Sequence, residues 1–240
     1  MVKLITTFMT IGATAALCGC AVTNQMHSEL NYGGVTENPV ALDEYGIGVL
    51  TPGAPTGKEA DKQALGDVLG EALTDLLPSA HVVQLPEMLS SINKSGFARP
   101  YATALNEYEQ TGILERDVIR DIGEAGGVRY LAKFNLSDFL QSSDKRLAIA
   151  GIRMFDTWRA TIRVHLEIWD ATTGEIAWEG NEELVFAREG LKEKPVSFSQ
   201  VARFTADHLV NLIGESGARI SDEVPDMLAS SDAESGHLSF

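Results

Sequence analysis

The chain has 240 residues, with 34 Asp and Glu against 19 Lys and Arg and a net charge of −15. That balance excludes a generic nucleic-acid surface, which needs a basic stripe to follow phosphates. It also means that anionic lipid headgroups repel the molecule taken as a whole, so membrane attachment has to come from something other than net charge.

The chain starts with one positive charge, Lys3, followed by a mostly apolar run from Leu4 to Leu17 and then Leu17, Cys18, Gly19 and Cys20. The run is shorter than the roughly 20 residues a spanning helix needs. Its charged start, apolar middle and small residue before the cut have the layout of a secretory signal. The last four residues resemble the bacterial lipobox, with Leu17 at minus three, Gly19 at minus one and Cys20 as acceptor. Cys18 is a poor acceptor because Leu17 is too large for the minus-one site. The resemblance implies a signal peptide over 1–19, a diacylglycerol thioether on Cys20 and usually an amide-linked third chain such as palmitate. Two or more acyl chains make anchoring stable. Ala21 and Val22 lack the aspartate that often retains such proteins in the inner membrane, which favours the periplasmic face of the outer membrane. After cleavage only Cys20 remains, so no intramolecular disulfide can form and the domain relies on its core alone.

Residues 20–43 are rich in Asn, Thr, Ser, Gly and Glu and read as a lipidated cysteine followed by a flexible tether. Tyr45 to Leu50 reads as a short strand, broken at Thr51, Pro52 and Gly53. Leu65, Val68, Leu69, Ala72, Leu73 and Leu76 recur at helical spacing and predict a helix over 58–77, ended by Pro78. His81 to Leu85 is a second short strand, and Pro86 suits the first turn of the next helix. Tyr101, Ala104, Leu105 and Tyr108 mark another helix. Ile113 to Ile122 mark a further one, stopped at Gly126 and Gly127. Val128 to Leu136 alternates as a strand with one face buried. The clearest alternation runs from 158 to 187: Ile162, Val164, Leu166 and Ile168, a turn from Asp170 to Gly174, and a returning strand from Glu175, which together predict a hairpin with a bulge. Phe198 to Ile213 is a closing helix. Residues 221–240 read as a disordered acidic tail. The whole predicts one α+β domain over 44–220, with a mixed sheet of about five strands and helices packed on it in two or three layers.

Three motifs in this order resemble one superfamily, which contains the curli secretion lipoprotein, the TolB amino-terminal domain and the lipoprotein activators of penicillin-binding proteins. The first is Val49 and Leu50 with the Pro55, Thr56, Gly57 loop before a long helix. The second runs from Thr111 to Leu114, through a helix, to Gly126, Gly127, Val128 and Leu131. The third is the hairpin from Ile168 to Trp178. The resemblance covers about residues 45–214 and implies a TolB amino-terminal-like fold. The comparable link to the curli relatives' membrane-spanning hairpins, Gln141 to Thr157, is slightly short of two strands of roughly 9–11 residues and a turn. Asp144, Lys145 and Arg146 also place three charges in one arm, which argues against a pore made the same way. The tether, holding only Pro39, is shorter than that of many synthase activators.

Gly53 to Lys58 occupies the place of a phosphate loop, but a Walker A loop has four residues between its glycines and a Ser or Thr after the lysine. Here there are three, and Glu59 follows, so a strand-to-helix turn is the simpler account. His27, His81, His165, His208 and His237 show no metal-ligand spacing, and His165 and His208 read as surface or edge residues. Glu182 with Glu183, and Asp117 with Asp121, are carboxylate pairs; paired catalytic acids need a concave apolar site, and a solvated helix face explains Asp117 and Asp121 better. No nucleophile elbow exists. Met154, Phe155 and Trp158, interspersed with Arg153 and Arg159, have the composition of a partner-binding anchor or of sheet-covering core. The sequence thus predicts no catalytic residue, no metal and no cofactor beyond the lipid on Cys20. It predicts a non-enzymatic, lipid-anchored binding or assembly module of the cell envelope. The expected partners are the membrane, an unidentified envelope protein or a second copy, and not nucleic acid. Alternatives are an oligomeric secretion-channel accessory and an envelope hydrolase.

Overall fold

In a computed structural model of the chain, the residues described are 23–34, 41–55, 59–148, 153–190 and 195–218. They form an α+β domain around one mixed sheet. In chain order the elements are β1 (Thr23–Gly34), α1 (Leu42–Tyr45), β2 (Ile47–Val49), α2 (Glu59–Leu76), β3 (Val82–Val83), α3 (Leu85–Lys94), α4 (Ala98–Thr111), α5 (Arg116–Gly126), β4 (Tyr130–Ala148), β5 (Arg153–Asp170), β6 (Glu175–Gly190) and α6 (Phe198–Ala218). The sheet order is β1-β6-β5-β4-β2-β3. β4, β5 and β6 form an antiparallel meander, β1 adds antiparallel to β6, and β2 lies parallel between β3 and β4.

Strand alternation divides the interior in two. Tyr130, Ala132 and Phe134, with Ile162, Val164, Leu166 and Ile168, face α2 and α6 in the larger core. Leu131, Trp169 and Ala171 point the other way, into a smaller core with α3, α4 and α5. The three-layer part therefore lies only at the end of the sheet near β2. The helix stops follow their glycines: Gly112 and Gly127 close α4 and α5 in the left-handed conformation, at φ 71° and 67°. The turn glycine, Gly174, sits at φ 77° with Arg116 packed against it. The expected hairpin bulge falls between Ile168 and Trp169.

Three expectations change. The segment read as a tether is, over Thr23–Gly34, a strand paired rung by rung with β6. Its polar composition suits both states: an edge strand contributes one half-buried apolar side chain, Leu30, to the core and keeps Gln25 to Glu29 in solvent. The link Gln141 to Thr157 is the continuation of β4 and β5, whose register runs on to Ala148 opposite Arg153. The apolar alternation that marks a strand is missing there, yet the backbone ladder persists. Tyr45 ends α1, and Leu85 opens α3, so both short parallel strands are shorter than expected. The signal peptide with Leu17, Gly19 and Cys20, and the acidic tail, lie outside the described residues.

Candidate functional site

Two carboxylate-centred clusters and one projecting arm are the features to weigh. The first cluster lies on the sheet face beside α4. Lys133 on β4 and Glu167 on β5 are cross-strand partners, 2% and 6% exposed. Glu167 Oε2 accepts hydrogen bonds from Tyr108 Oη at 2.8 Å and Trp169 Nε1 at 2.9 Å, and Oε1 lies 3.0 Å from His165 Nε2. Tyr108 also accepts from Asn135 Nδ2 at 2.8 Å. Lys133 Nζ donates to the Thr51 carbonyl at 2.9 Å and sits 4.9 Å from the centre of the Tyr108 ring.

The electrostatics follow from burial and pairing. Burial pushes the Glu167 carboxyl up, but its bonds from His165, Tyr108 and Trp169 outweigh that and hold it below the usual carboxylate range. Burial pushes the Lys133 ammonium down to about 8, only partly opposed by the Glu167 charge. The bond to Glu167 raises His165 against its own burial. Burial, then Glu167, raises the Tyr108 phenol. The arrangement fastens α4, through Tyr108, to the middle of the sheet. The same helix is held again where Tyr101 Oη receives the Thr51 N–H at 2.8 Å.

The second cluster lies under α6. Glu182, with its side chain fully buried, accepts on one oxygen from Ser28 Oγ at 2.6 Å, and His208 Nδ1 lies 2.7 Å from that same oxygen. Its other oxygen has no hydrogen-bond partner. The Glu182 bond raises His208 against the opposing effect of burial. The residue types are those of a hydrolytic triad, but the order is wrong: the carboxylate stands between hydroxyl and imidazole, so the histidine has no hold on the serine proton. The cluster instead ties the edge strand β1 and helix α6 to β6.

At the turn, Arg129 lies between the rings of Tyr45 and Tyr130, and two of its N–H groups donate to Asp170 Oδ2 at 3.0 and 2.7 Å. Asp170 Oδ1 in turn accepts from the Thr172 N–H at 2.8 Å, so the Asp-to-Gly turn is held by its own first residue. A cleft of about 520 Å³ opens at the carboxyl ends of β2 and β3, between Thr51, Lys62, Asp67, Leu85 and Leu89. The loop above it is not shaped as a phosphate cradle at its start: Gly53 bridges β4 at Asn135 and receives the Leu136 N–H at 2.8 Å. Among the described residues, no group of three His, Cys, Asp or Glu is placed to hold a metal ion.

The arm is the distal part of β4, β5 and β6. Helical cover ends where Phe139 meets Phe198 edge-on at 5.0 Å and Gln141 donates to the Val196 carbonyl. Beyond that point Ser142 to Lys145 are exposed, and the last rungs of β4 pair with β5 alone. Of the three anchor candidates, Trp158 is half-buried, opposite Ser143 and Arg188. Met154 and Phe155 stand opposite Leu147 and Arg146, and their side chains lie outside the described residues. Asp117 and Glu183 are each paired with an arginine, Arg120 at 3.0 Å and Arg163 at 2.6 Å. The Lys133 and Glu167 cluster was missed in the sequence; the available signal was a charge in the middle of each of two apolar strands. His165 and His208, expected at the surface or an edge, are both bound to buried carboxylates: Glu167 lies two residues along the same strand from His165, whereas only the fold brings Glu182 to His208.

No family model matches the chain, and no curated protein matches it in sequence. The superfamily resemblance therefore rests on its three motifs. Among solved structures, a dodecamer of PelC from Paraburkholderia phytofirmans aligns at TM-score 0.44 and 12% identity, over 77% of this chain and 98% of that one. Lipoprotein GNA1162 from Neisseria meningitidis aligns at TM-score 0.35 and 14% identity, over 71% and 99%. A homolog of a neuraminyllactose-binding hemagglutinin from Helicobacter pylori aligns at 0.39 and 8%, over 75% and 87%. Likenesses of that size say nothing of activity.

Proposed function

We propose that the chain is a non-enzymatic binding or assembly module of the bacterial envelope, held by lipid on Cys20 at the periplasmic face of the outer membrane. The observation that carries this reading is the arm, a stretch of paired strand that extends past the start of α6, with Ser142 to Lys145 exposed. A stable ladder maintained outside the core is a docking element, because its side chains add little to folding. The two buried clusters support the same reading, since each carboxylate is engaged in holding elements together. No helix among the described residues is long and apolar enough to cross a membrane, which is consistent with attachment through an acyl chain.

Replacing Cys20 by Ser should move the protein from the membrane fraction to the soluble envelope fraction and remove the acyl mass from the purified chain. Retention in the membrane without acyl mass would overturn the anchor. The Phe155→Ala, Trp158→Ala double variant should lose its crosslinked partner species in cells while keeping its far-ultraviolet circular dichroism and unfolding midpoint. A lowered midpoint would instead make these residues core.

A further inference from the structure

The two edges of the sheet differ. At one stands β3, which is only the two residues Val82–Val83. At the other stands β1, 12 residues long, with its register to β6 unbroken from Thr23 to Gly34. Among the described residues β1 is paired with β6 alone, so every second residue turns its N–H and C=O outward. Natural proteins protect such an edge by keeping it short, by a bulge, or by proline and lysine. The β3 edge is short, whereas β1 has no bulge, no proline and no lysine. Alternation sorts the β1 side chains by face. Ser28 bonds Glu182 under α6 and Leu30 packs on the larger core, so Met26 and Tyr32 lie on that side, 50% and 45% exposed. Gln25, His27, Glu29 and Asn31 lie on the other side and are all exposed. His27 and Glu29, two residues apart, are the only basic and acidic residues of the strand.

We propose that the outer edge of β1 pairs antiparallel with β1 of a second copy of this chain, about a twofold axis at Ser28, joining the two six-stranded sheets into one. This goes beyond the envelope reading above and does not need the acyl anchor. The strand is complementary to itself in that register. His27 of each copy stands opposite Glu29 of the other, so imidazole and carboxylate meet twice across the joint. On the α6 side, Met26 of each copy stands opposite Leu30 and diagonal to Tyr32 of the other, so the exposed apolar side chains cover one another. Gln25 meets Asn31. Ser28, on the axis, is small and is held back by its own Glu182, which lets the two strands meet there without bulk. Moving the axis by one residue loses this match. About Glu29 it sets two carboxylates against each other, and about His27 it leaves Met26 opposite Ser28 and Glu29 opposite Gln25. The joint uses the same edge on both copies, and the far edge, β3, is too short to extend the sheet, so the assembly closes at a dimer.

The test uses the full chain purified from membranes, in detergent with micelles in excess. Sedimentation over a range of concentrations should show a monomer–dimer equilibrium. A short bismaleimide should then capture the dimer of a chain carrying both Gln25→Cys and Asn31→Cys, beyond what the parent chain gives. Either substitution alone should not be captured, because its two thiols lie ~20 Å apart across the joint. His27→Glu should raise the dissociation constant roughly tenfold, since it sets carboxylates opposite Glu29 on both sides of the axis, and far-ultraviolet circular dichroism should not change. Adding Glu29→Lys to that variant should restore the dimer, which a general loss of stability would not allow. A monomer at every concentration, or a dimer that the double-cysteine chain does not capture, would overturn the joint and leave the acyl anchor untouched.

Discussion

Replacing Glu167 by Ala is expected to destabilise the fold by roughly 3–5 kcal/mol at neutral pH, the cost of leaving one member of a buried charge pair alone. Lys133, 2% exposed, would keep one hydrogen-bond acceptor, the Thr51 carbonyl, and lose the charge that stabilises it as an ammonium. Tyr108, Trp169 and His165 would each lose a bond to the carboxylate. The pH dependence identifies the cause. In the native protein Lys133 titrates at about 8 against an ordinary 10.5, so the unfolded chain binds more protons between those values and stability rises with pH across that window. Glu167, held below its usual range, contributes stability that is present above the unfolded carboxylate value near 4 and lost as the pH falls through its folded value. In the Ala variant Lys133 can escape by shedding its proton, so the deficit should shrink as the pH goes from 7 to 10. Urea unfolding of both proteins at several pH values reads this directly, and a deficit independent of pH would sink the pairing. Glu167→Gln, which keeps a hydrogen-bonding side chain, should lose less.

The second large effect is expected at Trp178, the largest fully buried side chain, at 1% exposed. Its ring lies over Gly180, where a Cβ would collide with it and come within 3.0 Å of Leu209 on α6. Glycine here lets the indole lie flat between the sheet and the closing helix. Trp178→Ala should cost about 3–5 kcal/mol through lost burial and the cavity left beneath α6. Trp178→Phe should cost far less, because the indole N–H has no hydrogen-bond partner and its removal relieves about 1–3 kcal/mol that offsets the smaller ring. Unfolding midpoints in urea separate the two. Both variants remove the N–H, so the deciding comparison is Phe with the wild-type protein: a loss as large as the smaller ring alone would cause would mean that the N–H is satisfied, for example by a buried water.

What was legible in the sequence was whatever a single element decides for itself. The helices α2, α4, α5 and α6 were readable because each buries one stripe, and Gly126 and Gly127 marked the end of α5. The β5–β6 hairpin was readable because one of its faces is core and its turn contains Asp170 and Gly174. Where an element lacks apolar alternation, that signal vanishes: β1 and the distal parts of β4 and β5 were read as connections. Only the tertiary structure showed them to be strands, since a ladder partner can satisfy a polar backbone that no hydrophobic pattern announces.

The candidate site divides along the same line. Cys20 and its flanking Leu17 and Gly19 were read from local order alone, as a processing signal must be. Met154, Phe155 and Trp158 were singled out by composition, and of the three only the half-buried side chain of Trp158 lies among the described residues. The partnership of Glu167 with Lys133, Tyr108 and His165, and of Glu182 with Ser28 and His208, joins positions up to 154 residues apart. So does the register that brings the start of β1 to the arm. Sequence by itself determined the helices and the hairpin, each a property of neighbouring residues; the lipidation expected at Cys20 is read from the same kind of local order. Tertiary structure decided which charges are buried together and that β1 is an edge strand of the sheet, because both depend on strand pairings that carry no local mark.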